Sequence, residues 1–171
     1  DLRTLDPQAL PQMADRFAAL AFPAGTKLQP LPRPALHSTV EQQQGLLARL
    51  GIDASKPAVA FCPGAEYGPA KRWPERHFAT LARRLAERGY AIWLIGSPKD
   101  HAVAETIAQD AEGLCTNMCG KTDIAEATDL LAAAKLVVTN DSGLMHVAAA
   151  VGRPVIALYG SSSPLFTPPL S

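Results

Sequence analysis

The chain has 171 residues, of which 47% are hydrophobic and 19% charged, a composition typical of one well-buried globular domain. Its 16 basic and 16 acidic residues cancel, so the net charge gives no indication of a nucleic-acid or anionic-membrane binder. No signal peptide or long apolar span is present, and the three cysteines lack the paired spacing of zinc sites. We therefore expect a cytoplasmic protein with free thiols and no structural metal, and we assign it no cofactor. Because the sequence starts without Met, we also expect a fragment of a longer chain.

The N-terminal part is predicted to form one helix followed by a linker. The helix is predicted to begin at Asp6-Pro7, because Phe17 and Leu20 follow at helical spacing. Prolines then crowd residues 22–37, where their fixed φ angles and missing N–H groups oppose both helix and central strand. This composition predicts an irregular linker.

From residue 38 onward, helical and strand patterns alternate. A Ser38-x-x-Glu41 capping box predicts a helix that ends at Gly51, and Thr122 is predicted to cap a later helix whose apolar face includes Ile124. Five apolar runs predict strands at 58–62, 90–95, 114–118, from 136 onward and at 154–159. Such alternation predicts right-handed crossovers and a parallel sheet flanked by helices, with ligands bound at the carboxyl ends of the strands.

Two loops at that predicted edge carry charged side chains. The loop after the first strand contains Lys71 and Arg72 beside a helix start, where a cation suits phosphate. It lacks the Gly-x-x-x-x-Gly-Lys-Ser/Thr spacing of a P-loop, and no Gly-x-Gly-x-x-Gly fingerprint follows the strand, which weakens a dinucleotide-binding interpretation. The loop after the second strand presents Lys99 and Asp100, where an amine or carboxylate can meet a ribose hydroxyl.

The strand that begins at Leu136 leads directly into a polar turn and an apolar helix. The first N–H groups of a helix are unpaired and its dipole is positive there, so Asp141-Ser142-Gly143 is predicted to be an anion cradle. Gly143 permits close approach of a ligand to the backbone, and His146, four residues after Ser142, is predicted to lie on the same helical face. Three loops thus bring candidate ligand-binding groups to one edge of the sheet.

Each of these residues also has a purely structural interpretation. Long basic side chains such as Lys71 and Arg72 are usually solvated on the surface, and Asp141 or Ser142 alone is a common helix N-cap. His146 is equally compatible with a packed position in the core. Their common location at one edge of one sheet favours the functional interpretation.

Three stretches of the sequence carry a family resemblance. They are FCPGAEYGPAKRWP at 61–74, TNDSGLMHVAAA at 139–150 and LYGSSSP at 158–164. They closely resemble the ADP-heptose:lipopolysaccharide heptosyltransferases of glycosyltransferase family 9. The resemblance implies the second Rossmann-like domain of a two-domain GT-B enzyme. On this basis residues 1–37 are a helix and linker from the end of the first domain, and residues 38–171 form the nucleotide-sugar-binding domain, truncated at its C-terminus.

The resemblance also implies roles for individual residues. Lys71 would neutralise the diphosphate leaving group as the bond to the sugar breaks. The other residues assigned to substrate binding are Asp141, Ser142, Gly143 and His146 at the phosphates, Met145 beside them, Thr122 through its backbone at the adenine, and Asp100 at the ribose. The family inverts configuration by direct displacement with an acidic general base in the first domain, so no base is assigned in this chain.

The implied activity is transfer of heptose from ADP-heptose to the inner core of lipopolysaccharide, with the acceptor bound through the first domain. Peripheral contact with the cytoplasmic face of the inner membrane is compatible with such an acceptor, and no nucleic acid is expected as a partner. Two other functions stay open: a non-catalytic nucleotide-binding module, and a nucleotide-sugar epimerase of the same fold that needs no lipid acceptor. A serine hydrolase is disfavoured, because the turn at Ser142 lacks both flanking glycines of Gly-x-Ser-x-Gly.

Overall fold

The predicted alternation of strands and helices is present in the computed structural model, which describes residues 5–66 and 68–170. Within these residues, one parallel sheet contains the strands Ala58–Cys62 (β1), Ala91–Leu94 (β2), Cys115–Asn117 (β3), Leu136–Asn140 (β4) and Val155–Leu158 (β5). The α-helices are Met13–Ala19 (α1), Val40–Arg49 (α2), Glu75–Ala86 (α3), His101–Asp110 (α4), Ile124–Ala133 (α5) and Gly143–Ala150 (α6). The predicted α/β fold with a parallel, Rossmann-like sheet is confirmed. In this described part of the chain, no helix has the length and apolarity required to cross a bilayer.

The strand order of the sheet is β3-β2-β1-β4-β5. Phe61 of β1 lies opposite Leu94 of β2, and Cys62 of β1 lies opposite Thr139 of β4. The direction of the crossovers reverses at the centre, because β2 and β3 extend the sheet on one side of β1 whereas β4 and β5 extend it on the other. Open parallel sheets bind ligands outside the carboxyl ends of their strands at such a reversal. The loops after β1 and β4 therefore flank the expected crevice.

Two hydrophobic layers enclose β1, because successive side chains of a strand point to opposite faces. Ala60 and Cys62 belong to the layer formed with α2, α5 and α6, whereas Val59 and Phe61 belong to the layer formed with α3 and α4. Phe61 is fully buried, and the centroid of its ring lies 5.5 Å from that of Phe78 in α3. Because β1 is packed on both faces, the loop that follows it starts from a fixed position at the carboxyl edge of the sheet.

The first helix begins later than predicted. Asp6-Pro7 leads only into a short turn, and α1 starts at Met13. Pro11 explains the delay, because a proline disfavours helical conformation in the residue before it. The predicted apolar face of this helix is wrong as well, since Phe17 and Leu20 are 66% and 54% exposed.

Few backbone contacts hold α1 and the proline-rich segment. The N–H of Met13 donates to the carbonyl oxygen of Phe166 (N to O 2.9 Å), and the guanidinium of Arg16 lies 4.9 Å from the centroid of the Phe166 ring. Residues 22–37 contain no helix or strand, as predicted. Their assignment, with residues 5–21, to the end of a preceding domain stays a prediction, and residues 1–4 lie outside the described part of the chain.

The cap of α2 is one residue later than predicted. Thr39, not Ser38, accepts a hydrogen bond through its hydroxyl from the N–H of Gln42 (3.2 Å). In return, Oε1 of Gln42 accepts from the N–H of Thr39 (2.8 Å). The motif is a capping box of the predicted kind, shifted because Gln42 fills the third helical position as well as a glutamate does.

The three cysteines all lie among the described residues and are free thiols. Burial raises the pKa of Cys115 to about 11 and that of Cys119 to about 12, and it also raises the pKa of Cys62. Because the thiolate is the nucleophile, we expect iodoacetamide to alkylate the folded protein slowly near neutral pH and the unfolded protein rapidly, as measured by intact mass. We also expect no stoichiometric zinc by metal analysis. One fast-reacting thiol, or one zinc ion per chain, would contradict this expectation.

Candidate functional site

A cavity of about 420 Å³ opens at the carboxyl edge of the sheet, beside β1 and β2. Four residues of the predicted site line it: Asp100, Thr122, Ser142 and Gly143. The apolar part of its wall includes Cys62, Ile95, Ile124, Ala127, Leu144 and Val147. A concave, mostly apolar pocket with a few polar groups is typical of a small-ligand site. The structure therefore brings together residues that the sequence distributes over four separate segments.

Thr122 lies at this cavity and does not cap α5, in contrast to the prediction. Asp123 is the cap: its Oδ1 accepts from the N–H of Glu126 (2.8 Å), whose carboxylate accepts from the N–H of Asp123 (3.1 Å). The hydroxyl oxygen of Thr122 is buried and has no hydrogen-bond partner among the described residues. Ile124, which was expected in the core, is 66% exposed and lines the same cavity. At this corner, the exposed Ile124 side chain therefore offers a bound ligand an apolar contact, whereas the Thr122 hydroxyl oxygen is not accessible.

Asp100 forms the wall of the cavity between the loops after β1 and β2. Its Oδ2 accepts hydrogen bonds from the N–H (2.9 Å) and the hydroxyl (2.7 Å) of Ser97. A Cβ added to Gly64 would lie 2.4 Å from Asp100 Oδ1, and a Cβ added to Gly96 would lie 3.0 Å from Asp100 Oδ2. These two glycines therefore make room for a carboxylate beside the cavity.

The start of α6 faces the cavity with its backbone uncapped by a side chain. Ser142 occupies the N-cap position, but its hydroxyl makes no capping bond within the described residues and instead lies 3.4 Å from the hydroxyl of Thr139. Gly143 has open space where a Cβ would be. The first N–H groups of a helix lack intrahelical partners and carry partial positive charge, so this end is chemically suited to an anion. The interpretation of Ser142 as a simple N-cap loses support here.

Lys71 forms an ion pair with Asp141 and so joins the loops that follow β1 and β4. Its Nζ lies 2.7 Å from Asp141 Oδ2, and the two side chains are 24% and 7% exposed. Lys71 is thus not a fully solvated surface lysine. Burial opposes the negative charge of Asp141, but the hydrogen bond and charge of Lys71, together with the charge of His146, hold the pKa of Asp141 below its usual value. The site therefore contains a carboxylate already neutralised by an ammonium group.

The Asp141 carboxylate is expected to make the fold more stable at neutral than at acidic pH. Because its folded-state pKa lies below the unfolded value of 3.8, its contribution is present above that pH and disappears as pH falls through the lowered pKa. Urea denaturation of the wild type and of Asp141→Asn should therefore show a difference in free energy of unfolding that shifts in favour of the wild type between about pH 3 and pH 7. A shift in the opposite direction would contradict this assignment.

The turn that carries Lys71 is held from the side of β5 as well. It comprises Pro69–Lys71, and its Ala70 carbonyl accepts from the N–H of Ser161 (3.3 Å). A Cβ added to Gly160 would lie 2.4 Å from the Ala70 carbonyl oxygen. Asn140, at the end of β4, contacts the same loop, a role that residue spacing alone does not indicate. The available signal was a polar residue that ends an apolar strand.

Alanine at Gly160 and alanine at Gly143 are expected to have different effects. Gly160→Ala places a methyl group against the Ala70 backbone, so the turn must shift, and we expect a loss of about 1–3 kcal/mol in the free energy of unfolding. Gly143→Ala meets no atom within 4 Å, so its stability should change by less than about 1 kcal/mol. Chemical denaturation of both variants checks this, and equal destabilisation by the two would contradict it.

Met145 and His146 are neighbours in sequence but lie in different surroundings. Met145 is completely buried, and its sulfur lies 3.4 Å from the hydroxyl oxygen of Tyr159. Its side chain faces the core side of α6 and does not line the cavity, so the predicted contact of Met145 with substrate is not retained. His146 is exposed and lines a second cavity of about 270 Å³ between α1 and the C-terminal segment.

The sequence model of glycosyltransferase family 9 (heptosyltransferase) matches residues 1–171. The chain belongs to this family. A family member from Escherichia coli K12, lipopolysaccharide heptosyltransferase 2, is 46% identical over 181 residues, which cover 100% of this chain and 52% of the relative. The chain therefore spans about half the length of that relative.

Solved structures of family members agree with this membership. The structure of E. coli ADP-heptose lps heptosyltransferase II matches with a TM-score of 0.90 and 45% identity, over 100% of this chain and 55% of that chain. The structure of E. coli heptosyltransferase WaaC with ADP-2-deoxy-2-fluoro heptose matches with a TM-score of 0.58 and 34% identity, over 71% of this chain and 38% of that chain.

Proposed function

We propose that the protein containing this chain is an inverting glycosyltransferase that transfers heptose from ADP-heptose to the inner core of lipopolysaccharide, and that this half binds the donor. The observation that carries the proposal is the position of the Lys71–Asp141 pair and the open start of α6 at the reversal of the sheet. In a member of family 9, these are groups suited to the diphosphate of a nucleotide sugar. WaaC, a family member solved with an ADP-heptose analogue, binds a ligand of this class.

The proposed reaction is a direct displacement at the sugar. An acceptor hydroxyl oxygen attacks the anomeric carbon while the bond from that carbon to the β-phosphate oxygen breaks. ADP leaves with the bonding electrons, so negative charge grows on its phosphate toward the transition state. The acceptor proton passes to a carboxylate that acts as the general base. The family resemblance assigns this carboxylate to the first domain, and we propose no residue of this chain for that role.

Lys71 is proposed to stabilise the leaving diphosphate. Its ammonium is paired with Asp141, so a phosphate must share this cation with the carboxylate or replace it. The N–H groups at Ser142 and Gly143, and the side chain of His146, are proposed as further phosphate contacts. An ammonium and a helix start that converge on one phosphate would stabilise a charge that neither neutralises alone.

The nucleoside is proposed to occupy the 420 Å³ cavity. Its apolar wall suits the adenine base, with the backbone around Thr122 at the base edge. Asp100 is proposed to accept a hydrogen bond from a ribose hydroxyl. Since Met145 is buried, we propose for it only support of α6 from within the core.

The two-domain arrangement is also proposed for this chain. Residues 1–37 would close the first domain and connect it to residues 38–171, and the lipid-linked acceptor would bind on the first domain. We propose that the protein works in the cytoplasm, at the inner face of the membrane that holds its acceptor. No cofactor is proposed for this reaction.

Calorimetry and a transfer assay on the full-length protein test this function. We expect ADP and ADP-heptose to bind, ADP to bind more tightly than UDP, and heptose to be incorporated into a heptose-deficient lipopolysaccharide core. ADP binding without transfer to any acceptor would favour a nucleotide-binding module, and conversion of free ADP-heptose without acceptor would favour an epimerase. Absence of ADP binding by the folded protein would overturn the donor site.

A further inference from the structure

One buried amide joins both ends of the loop that carries Lys71. Asn140 is the last residue of β4 and is 0% exposed. Its Nδ2 donates to the carbonyl oxygen of Pro63 (2.7 Å), and its Oδ1 accepts from the backbone N–H of Trp73 (3.0 Å). Pro63 directly follows β1, and Trp73 follows Lys71 by two residues. The side chain of Asn140 therefore links the two ends of the loop, residues 63 and 73, through hydrogen bonds.

The two hydrogen bonds require an amide. An asparagine side chain supplies a donor and an acceptor in one plane, whereas an ionised aspartate can only accept and would repel the carbonyl oxygen of Pro63. An apolar side chain would leave the N–H of Trp73 and the carbonyl of Pro63 without this partner, which is unfavourable for buried groups. Asn140 thus meets a chemical demand that few residues satisfy.

The neighbouring residue holds the same loop by charge. Asp141, next to Asn140, forms the ion pair with Lys71 at 2.7 Å, so two consecutive residues of one strand end fix the loop at three points. Asn140 is fully buried and lies beneath the site. It is therefore placed to act through the loop and not by contact with a ligand.

We propose that Asn140 is a positioning residue that sets the place of the Lys71 ammonium relative to the start of α6. This inference rests on the proposed function and deepens it, because it names the group that orients the diphosphate-binding cation. Loss of these two hydrogen bonds should weaken binding of the phosphates that Lys71 meets more than binding of the nucleoside, whose cavity is lined by Gly64, Ala65 and Glu66 of the same loop as well as by three other segments.

The test compares ADP with adenosine as ligands of the full-length protein. In Asn140→Asp, the ionised carboxylate loses the bond to Pro63 and also adds a negative charge near the phosphate site, so we expect ADP to bind about tenfold more weakly near pH 8 while the affinity for adenosine changes much less. Burial raises the pKa of such a carboxyl. Near pH 5 its protonated form can again donate to Pro63, and the ADP affinity relative to wild type should recover. The Lys71–Asp141 pair is common to both proteins at each pH.

Asn117→Asp is the matched control. Asn117 also ends a strand, β3, and its amide likewise joins separate segments, donating to Glu105 Oε2 (3.2 Å) and the carbonyl oxygen of His101 (3.4 Å) and accepting from the N–H of Cys119 (3.0 Å). It does not touch the Lys71 loop, so the ratio of ADP to adenosine affinity should stay at the wild-type value. Asn140→Ser, which is too short to reach both partners and adds no charge, is measured in every case, because it separates loss of the hydrogen bonds from repulsion of ADP by a new carboxylate. It should lose ADP affinity without recovery at acidic pH.

The outcomes separate this inference from the function on which it rests. A wild-type ratio of ADP to adenosine affinity in folded Asn140 variants at every pH would overturn the positioning role and leave the donor site intact. Equal loss of ADP and adenosine affinity would also overturn it, since that pattern indicates general damage. Failure of the wild type to bind ADP would overturn the proposed function, and the role of Asn140 with it.

Discussion

Replacing Lys71 by alanine in the full-length protein is expected to lower kcat for heptose transfer by about 10²–10³-fold while raising the Kd for ADP-heptose far less. The reason is that the negative charge on the ADP phosphate grows as the bond to the sugar breaks, so an ammonium beside it stabilises the transition state more than the bound donor. Single-turnover kinetics and calorimetry on the same preparation separate the two quantities. An unchanged kcat with only a raised KM would show that Lys71 serves ground-state binding alone.

Two further variants control for the carboxylate that Lys71 neutralises. Lys71→Ala leaves Asp141 buried without its ammonium, and this anion would repel a phosphate by itself. The double variant Lys71→Ala with Asp141→Asn removes that repulsion, so a full recovery of kcat would assign the defect to Asp141 and not to the lost cation. Arg49→Ala is the surface control, because Arg49 pairs with Glu126 between α2 and α5, its side chain is 53% exposed, and neither residue lines the cavity. We expect it to retain wild-type kcat.

Residues 1–171 produced alone are expected to bind ADP but to transfer no detectable heptose. The residues proposed for the donor site all lie between Asp100 and His146, apart from Lys71, and all are present in this chain. Transfer also needs an acceptor aligned with the anomeric carbon and a base for its proton. The base alone typically contributes about 10²–10⁴-fold, and alignment contributes more. We further expect a lower ADP affinity than that of the full-length protein.

The measurement is a paired one on a single preparation of demonstrated fold. Calorimetry reports ADP binding, and radiolabelled heptose reports incorporation into a lipid acceptor. Adding back the remainder of the protein in trans provides a control for the acceptor preparation. Heptose transfer by residues 1–171 alone would refute the two-domain division of labour, and a folded chain that binds no ADP would refute the site assignment.

Periodicity and turn chemistry were enough to predict which segments become strands and helices. The strand at 58–62 was predicted within its observed limits, because a short apolar run between prolines and glycines has few other solutions. The caps at residues 39 and 123 were each missed by one position. Neighbouring polar residues compete for a cap, and only the geometry of the helix start selects among them.

The sequence did not predict which side chains on different loops contact each other. Lys71 and Asp141 were both predicted at the site, yet nothing in their spacing indicated that they pair with each other. Met145 was predicted to bind substrate because it belongs to the family motif, but in the structure its side chain on α6 is buried in the core. Asn140 had no predicted role, because its two partners, Pro63 and Trp73, come from a distant loop.

The sequence by itself determined the alternation of elements and the chemistry of the three loops at one edge of a parallel sheet, since local periodicity and turn residues act over a few positions. Only the tertiary structure decided the order β3-β2-β1-β4-β5 and, with it, that the loops after β1 and β4 are adjacent. The physical reason is that strand order depends on which apolar faces bury each other. That choice is made by the whole core, and it brings together residues that have no local interaction along the chain.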